Sequence, residues 1–168
     1  DLRHFFLFDS FQGFPELSPQ DITGKYKARK GQWNYINKNN LEEVLSCSVK
    51  NKSKEKYLDE NRSRIHVQKG FFEDSLNQNV LEDIRLLGGI SFLHLDVDLY
   101  QSYKLCLERL FPLVNSGGII LFDEYNEETL MKFPGSKKAV DEYLLSKDIN
   151  PSEMIKKDLS GKCFYIKN

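Results

Sequence analysis

The sequence has few cysteines and no long apolar run. Its three cysteines, Cys47, Cys106 and Cys163, are widely separated in 168 residues and form no CxxC spacing. This usage excludes a disulfide framework and a cysteine zinc site, and it is typical of small core residues in a reducing compartment. No apolar run approaches the ~20 residues that a membrane-spanning helix needs, and no stretch resembles a signal peptide. We therefore predict a cytoplasmic protein.

The sequence also lacks an excess of charge of either sign. It contains 24 lysines and arginines against 25 aspartates and glutamates, so the formal net charge is −1. Such a balance gives no electrostatic argument for a nucleic-acid or anionic-membrane partner. One stretch, residues 24–36, mixes basic and aromatic side chains, but it is too short to change this conclusion. We expect no nucleic acid and no membrane among the partners.

Short apolar runs alternate with longer amphipathic segments, and no linker divides the chain. The apolar runs predict strands at 4–9, 65–69, 91–96 and 119–123. Helical spacing predicts helices at 41–49, 52–62, 80–87, 103–111 and 136–147. Residues 154–157 and 163–167 predict an antiparallel hairpin, and residues 115–118 predict a turn. This alternation predicts one domain, an α/β three-layer sandwich whose mostly parallel sheet carries the hairpin at one edge.

Carboxylates follow several of the apolar runs. Asp96 and Asp98 end one run, Asp123 and Glu124 end the next, and Asp9 ends the first. Ligands of open parallel sheets bind outside the carboxyl ends of the strands, so these side chains converge if the strands are neighbours. Oxygen donors without histidine or cysteine suit Mg²⁺ better than zinc. The pattern therefore predicts a cation site.

Two other interpretations of these carboxylates stay open at this point. Each aspartate could cap the helix that follows its strand, which is where aspartate is favoured, and Asp98 is the first candidate. Alternatively, Asp96-Val97-Asp98 could be the Asp-x-Asp motif with which glycosyltransferases hold Mn²⁺ and a diphosphate. That motif leaves Asp123 and Glu124 unexplained.

Four segments together resemble the macrocin O-methyltransferase family of the TylF/MycF type. They are FLFDSFQGFPELS, VQKGFFEDSLN, HLDVDLYQSYKLCLERLFPLVNSGGIILFDEYN and FPGSKKAVDEYL, and they cover most of residues 5–145 in the family's order. The resemblance implies a Rossmann-like class I methyltransferase fold. It also implies S-adenosylmethionine and Mg²⁺ as cofactors and a small-molecule sugar or glycoside as the acceptor of the methyl group.

The resemblance assigns roles to the carboxylates. Asp96, Asp123 and Glu124 correspond to the metal ligands, although the family more often has aspartate at the last two positions. Glu124 keeps the carboxylate but places it one methylene further from the backbone. Asp98 or Asp96 would accept the proton of the acceptor hydroxyl, and the sequence does not decide between them.

The resemblance also implies a cofactor site. Asp9 would accept hydrogen bonds from the ribose hydroxyls, with Ser10 beside it. Phe71 or Phe72 would pack on the adenine, and Asp74 would lie near its amino group. The simpler interpretations are a turn-forming aspartate at position 9 and core packing of one phenylalanine.

One part of the family pattern is absent from the sequence. Family members carry a first strand and a glycine-rich turn that hold the methionine end of the cofactor, and no strand followed by G-x-G occurs here. We therefore expect residues 1–168 to be a single but N-terminally incomplete methyltransferase domain. The alternatives are a metal-dependent glycosyltransferase and a degenerate, non-catalytic Rossmann-like module. The sequence does not decide the oligomeric state, and a homo-oligomer is one of the alternatives.

Overall fold

A computed structural model describes residues 3–22, 25–35, 37, 39–41, 64–126 and 131–168. The chain divides into two compact units, which are described separately below. The first unit comprises Asp1–Pro15 and Lys30–Ser75, and the second comprises Glu16–Arg29 and Leu76–Asn168. The helices predicted at 41–49 and 52–62 lie outside the described residues, except for Leu41.

The first unit contains a two-stranded parallel sheet. Strand β1 (Phe5–Asp9) pairs with β2 (Ile65–Lys69), with Phe5 opposite Ile65 and Asp9 opposite Lys69. Both predicted strands are confirmed. A short helix, α1 (Phe72–Ser75), follows β2. Since the strands are parallel, the end of β1 and the start of this helical segment lie at the same end of the sheet.

The second unit contains a four-stranded mixed sheet. Its strands are β3 (Ile90–Leu95), β4 (Val114–Phe122), β5 (Lys156–Lys157) and β6 (Cys163–Ile166), in the spatial order β3-β4-β6-β5. Strands β3 and β4 are parallel, whereas β6 is antiparallel to both of its neighbours. The predicted terminal hairpin is confirmed, although its first strand is only two residues long.

Strand β4 begins earlier than the sequence predicts. Residues 115–118, predicted as a turn, belong to the strand and contain an irregularity in its pairing with β3. Gly117 has φ +78°, a conformation that favours glycine. Backbone hydrogen bonds of 2.7 and 2.9 Å join Gly117 and Gly118 to Lys167. These bonds keep the glycine segment in the sheet, so the prediction of a turn there is wrong.

The helices of the second unit supply the rest of its core. They are α2 (Gln78–Leu86), α3 (Tyr100–Leu110), α4 (Pro134–Leu145) and the short α5 (Pro151–Met154), with a 3₁₀ turn at Phe111–Leu113. The buried apolar side chains of α3 and α4 include Tyr103, Leu107, Leu110, Ala139, Val140 and Leu144, and those of β3 and β4 include Leu95, Ile120 and Phe122. As predicted, Cys106 and Cys163 are buried. No helix within the described ranges is long and apolar enough to span a membrane.

The start of α3 is held by a residue distant in sequence. Leu99, the N-cap residue, makes no side-chain capping bond. Instead the buried carboxylate of Asp21 accepts the Tyr100 N–H at 2.8 Å and also binds the backbone and hydroxyl of Ser18. Gly135 packs against this carboxylate, since a Cβ there would lie 2.3 Å from its oxygen. Asp21 therefore fixes where α3 begins.

Replacing Asp21 with alanine is expected to destabilise the second unit by about 2–4 kcal/mol. The change leaves the N–H of Tyr100 and the donors of Ser18 buried without an acceptor. Urea unfolding of wild type and variant measures the loss. Asp83→Ala, on the exposed face of α2, removes a carboxylate that has no such role and is expected to change stability by less than about 0.5 kcal/mol. Equal stability of the two variants would contradict this assignment.

Candidate functional site

Three carboxylates of the second unit form an acidic cluster at the ends of β3 and β4. One oxygen from each of Asp96, Asp98 and Glu124 lies within 4.8 Å of the others. The parallel pairing of β3 and β4 brings these residues to the same edge of the sheet. Asp96 is exposed, Asp98 is half-buried and Glu124 is 2% exposed. The cluster thus reaches from the surface into the core.

Asp98 does not act as a helix cap. Helix α3 begins two residues later, with Leu99 as its N-cap residue, and its first N–H group is bonded to Asp21. Asp98 itself has φ +56°, a left-handed conformation that few residues other than glycine adopt. Such backbone conformations are held in place by the surrounding structure and occur often at functional sites. The interpretation of Asp98 as an N-cap is therefore wrong.

Burial and the charges of neighbouring carboxylates raise the pKa values of two members of the cluster. Burial, followed by the charges of Asp96 and Asp123, raises the pKa of Asp98 to about 7. Burial also raises the pKa of Glu124 to about 8, an effect that a hydrogen bond from Tyr103 opposes. Carboxylates crowded in this way favour a bound proton or cation. Without a cation, the cluster retains protons at neutral pH.

Tyr103 of α3 forms the inner wall of the cluster. Its hydroxyl lies 2.6 Å from Oε2 of Glu124 and 2.9 Å from the carbonyl oxygen of Leu95. The same Glu124 oxygen accepts the backbone N–H of Asp98 at 3.3 Å. Burial raises the pKa of the Tyr103 hydroxyl well above its usual value, so it stays protonated and donates.

Asp123, the fourth carboxylate in this region, faces different partners. Its Oδ1 forms an ion pair with Nζ of Lys162 and lies 3.6 Å from Nε2 of His94. The hydrogen bond to Asp123 raises the pKa of Lys162. The structure therefore brings together Asp96 and Glu124 of the predicted metal ligands, adds Asp98 to them, and pairs Asp123 with a lysine.

In the first unit, Asp9 and Ser10 begin a tight turn after β1. Asp9 is exposed, and its Oδ1 accepts the N–H of Phe11 at 2.6 Å. The Ser10 hydroxyl accepts the N–H of Gln12 and donates to the carbonyl of Gly13 at 2.9 Å. This is the turn-forming role that the sequence left open for Asp9. The second carboxylate oxygen of Asp9 can still accept a hydrogen bond from a ligand.

The segment after β2 contains the other predicted cofactor residues. Phe71 and Phe72 are half-buried and Asp74 is exposed, around the start of α1. Ser75 is 5% exposed, and its hydroxyl has no hydrogen-bond partner within the described part of the chain. A buried hydroxyl without a partner is costly. An added ligand that carries a polar group would satisfy it.

Three residues at these sites were not predicted from the sequence: Tyr103, Lys162 and Ser75. Tyr103 and Ser75 resemble ordinary core or turn residues, and no spacing rule connects them to a carboxylate. For Lys162 the sequence offered one indication: it directly precedes β6, which is antiparallel to β4, and Asp123 directly follows β4. That register alone places Lys162 near the end of β4.

Comparison with known proteins identifies similar methyltransferases. The sequence profile of the family described as Macrocin-O-methyltransferase (TylF) matches residues 1–166. The chain is 31% identical over 159 residues to demethyldecarbamoylnovobiocin O-methyltransferase of Streptomyces niveus. It is 28% identical over 123 residues to 8-demethyl-8-(2,3-dimethoxy-alpha-L-rhamnosyl)-tetracenomycin-C 4'-O-methyltransferase of Streptomyces olivaceus. These matches cover 95% and 73% of this chain but only 53% and 42% of the relatives, so the chain spans about half of their length.

A solved structure shows the same fold. The calicheamicin methyltransferase CalS11 aligns with 98% of this chain and 60% of its own, with a TM-score of 0.76 and 22% sequence identity. The predicted fold class, an α/β Rossmann-like methyltransferase with a C-terminal antiparallel hairpin, is confirmed.

Proposed function

The chain belongs to the Macrocin-O-methyltransferase (TylF) family, and from this premise we propose that the protein transfers a methyl group from S-adenosylmethionine to a hydroxyl of a sugar or glycoside. The name of the Streptomyces olivaceus relative, which specifies a rhamnosyl group and a 4'-O-methyl transfer, supports a sugar acceptor. The acidic cluster is the observation in the structure that carries the proposal, because it offers the chemistry that activates a hydroxyl.

The donor set of the cluster fits Mg²⁺. It consists of hard carboxylate oxygens close enough together to share one ion. Two of them have pKa values raised by burial and by the charges of neighbouring aspartates, a repulsion that a divalent cation would relieve. We propose that Asp96, Asp98 and Glu124 hold the ion. Asp123, predicted as a ligand from the sequence, would need to leave Lys162 to join them.

The residues of the first unit fit part of S-adenosylmethionine. Asp9 keeps an oxygen for the ribose hydroxyls, Phe71 and Phe72 offer aromatic surface, and the Ser75 hydroxyl lacks a partner within the described part of the chain. We propose that these residues, with Ser10 and Asp74, bind the adenosyl group. When bound, Mg²⁺ lowers the pKa of the acceptor hydroxyl and S-adenosylmethionine supplies the methyl group.

Asp98 is the residue we assign as general base. Burial raises its pKa to about 7 in the absence of a cation, and a bound Mg²⁺ would lower this pKa so that the carboxylate is ionised before the reaction. Its half-buried position limits competition from water, whereas Asp96 is exposed. In this proposal the Asp98 carboxylate would accept the proton of the acceptor hydroxyl, and the methyl group would pass to that oxygen from the sulfonium sulfur, which leaves as S-adenosylhomocysteine.

The family membership argues against glycosyl transfer at Asp96-Val97-Asp98, because the family is named for methyl transfer. A non-catalytic module would neither bind S-adenosylmethionine nor transfer its methyl group, so measurements of binding and activity distinguish it from the proposed enzyme. A small-molecule acceptor and a cytoplasmic location stay predictions, and the oligomeric state stays open.

The proposal is tested with the full-length protein. Calorimetry with S-adenosylhomocysteine is expected to show binding that Mg²⁺ does not abolish. Incubation with methyl-labelled S-adenosylmethionine and an aryl rhamnoside is expected to label the glycoside with Mg²⁺ and not with EDTA. Binding of neither S-adenosylhomocysteine nor S-adenosylmethionine would contradict the proposal and favour the non-catalytic module. Unchanged labelling in EDTA would contradict the metal assignment alone.

A further inference from the structure

Tyr103 is a core residue whose hydroxyl group is not required for packing of the core. It is 0% exposed on the inner face of α3, beside Cys106 and Leu107. Phenylalanine would fill the same space without the need to satisfy a hydroxyl. The hydroxyl therefore has to be explained by its contacts, which are Oε2 of Glu124, the carbonyl of Leu95 and the backbone N–H of Glu124, which it accepts at 3.4 Å.

The Tyr103 hydroxyl donates its hydrogen to Glu124 and not to the Leu95 carbonyl. A tyrosine hydroxyl donates one hydrogen. The Leu95 carbonyl already accepts the N–H of Asp123 at 2.9 Å. The Glu124 oxygen is closer, at 2.6 Å, and the ionised carboxylate that would hold a cation is the stronger acceptor. Tyr103 thus donates to Glu124.

The two oxygens of Glu124 have different surroundings. Oε2 receives the Tyr103 hydroxyl at 2.6 Å and the Asp98 N–H at 3.3 Å. Oε1 has no hydrogen bond to any residue that the structure describes. With Oε2 occupied, the carboxylate cannot rotate without breaking both bonds. Oε1 is the oxygen that remains for a cation.

The extra methylene of glutamate explains why such an anchor is needed. Glutamate has one more rotatable bond than aspartate, so a free carboxylate would sample more positions and lose more entropy on binding an ion. In this chain the Glu124 side chain reaches the Tyr103 hydroxyl on α3, and this hydrogen bond fixes the position of the Glu124 carboxylate.

We propose that Tyr103 is a positioning residue for the cation site, because it holds Glu124 through Oε2 and leaves Oε1 for the ion. This inference rests on the proposed metal site and extends it to a residue that does not itself contact the ion. Partners that orient a metal ligand through hydrogen bonds commonly affect metal affinity by about 10–100-fold. Tyr103 acts through Glu124 only, so it has no direct part in methyl transfer.

The test measures Mn²⁺ binding by electron paramagnetic resonance in full-length protein. Tyr103→Phe is expected to weaken Mn²⁺ affinity by about tenfold or more, with an unchanged circular dichroism spectrum. Tyr100→Phe is the matched control. Its hydroxyl also lies on α3, is 2.6 Å from a glutamate oxygen, and contacts Glu142 instead of the cluster. The control is expected to bind Mn²⁺ as wild type does.

Each outcome decides the question. Equal affinity in Tyr103→Phe and wild type, or an equal loss in the Tyr100→Phe control, overturns the role of Tyr103 and leaves the proposed function intact. A wild-type protein that does not bind Mn²⁺ overturns the metal site and this inference with it. If Tyr103→Phe does not fold, Glu124→Asp decides, because it shortens the side chain away from the hydroxyl. Wild-type affinity in Glu124→Asp would then refute the proposal.

Discussion

Asp98→Asn is expected to lower kcat for methyl transfer by about 10²–10⁴-fold. The asparagine side chain has nearly the same shape and tolerates the left-handed backbone at this position, where φ is +56°. It still offers a carbonyl oxygen to a cation but cannot accept the hydroxyl proton. The measurement is steady-state kinetics of the full-length protein with saturating S-adenosylmethionine and Mg²⁺.

Asp148→Asn is the matched control for this prediction. Asp148 also has a positive φ, +58°, but it is exposed at the end of α4. The control is expected to retain wild-type kcat and KM. A loss of less than tenfold in Asp98→Asn, or an equal loss in Asp148→Asn, would show that Asp98 is not the general base. Asp96 would then be the remaining candidate.

The second large effect is a loss of stability with rising pH in the metal-free protein. In the folded chain the pKa of Asp98 is about 7 and that of Glu124 is about 8, against ordinary values of 3.8 and 4.5. Between the ordinary and the raised values, the folded state therefore binds more protons than the unfolded state. The free energy of unfolding falls through this range, is highest below about pH 4, and levels off above about pH 8.

Chemical denaturation in EDTA measures this loss, which we expect to be on the order of 3 kcal/mol between about pH 5 and about pH 8. Millimolar Mg²⁺ should restore much of it at the higher pH and little at the lower pH, where protons already neutralise the cluster. The double variant Asp98→Asn, Glu124→Gln should flatten the profile. A steep profile in this variant would mean that other groups cause the pH dependence.

The ends of the strands could be predicted from the sequence, because a strand buried in a sheet is a recognisable apolar run. Asp96 and Glu124 were located in this way, and parallel pairing brings them together. The start of β4 could not be predicted, because Asn115 to Gly118 carry a turn signal. Backbone pairing with a strand at the far end of the chain overrides that signal.

The partners of the carboxylates could not be predicted, because each contact joins segments that are distant in sequence. Tyr103 lies 21 residues from Glu124, and Lys162 lies 39 residues from Asp123. Asp21 reaches Tyr100 across 79 residues. Local rules of capping and periodicity describe one element at a time. Which polar group meets a buried carboxylate depends on how the elements pack, and this information is not local.

The cation site is the central claim, and anomalous diffraction tests it most directly. The experiment uses crystals of the full-length protein grown with Mn²⁺ and S-adenosylhomocysteine, with data collected near the manganese absorption edge. The account predicts one strong anomalous peak within bonding distance of carboxylate oxygens of Asp96, Asp98 and Glu124. The absence of such a peak from fully loaded crystals, or a peak bound by other residues, would contradict it.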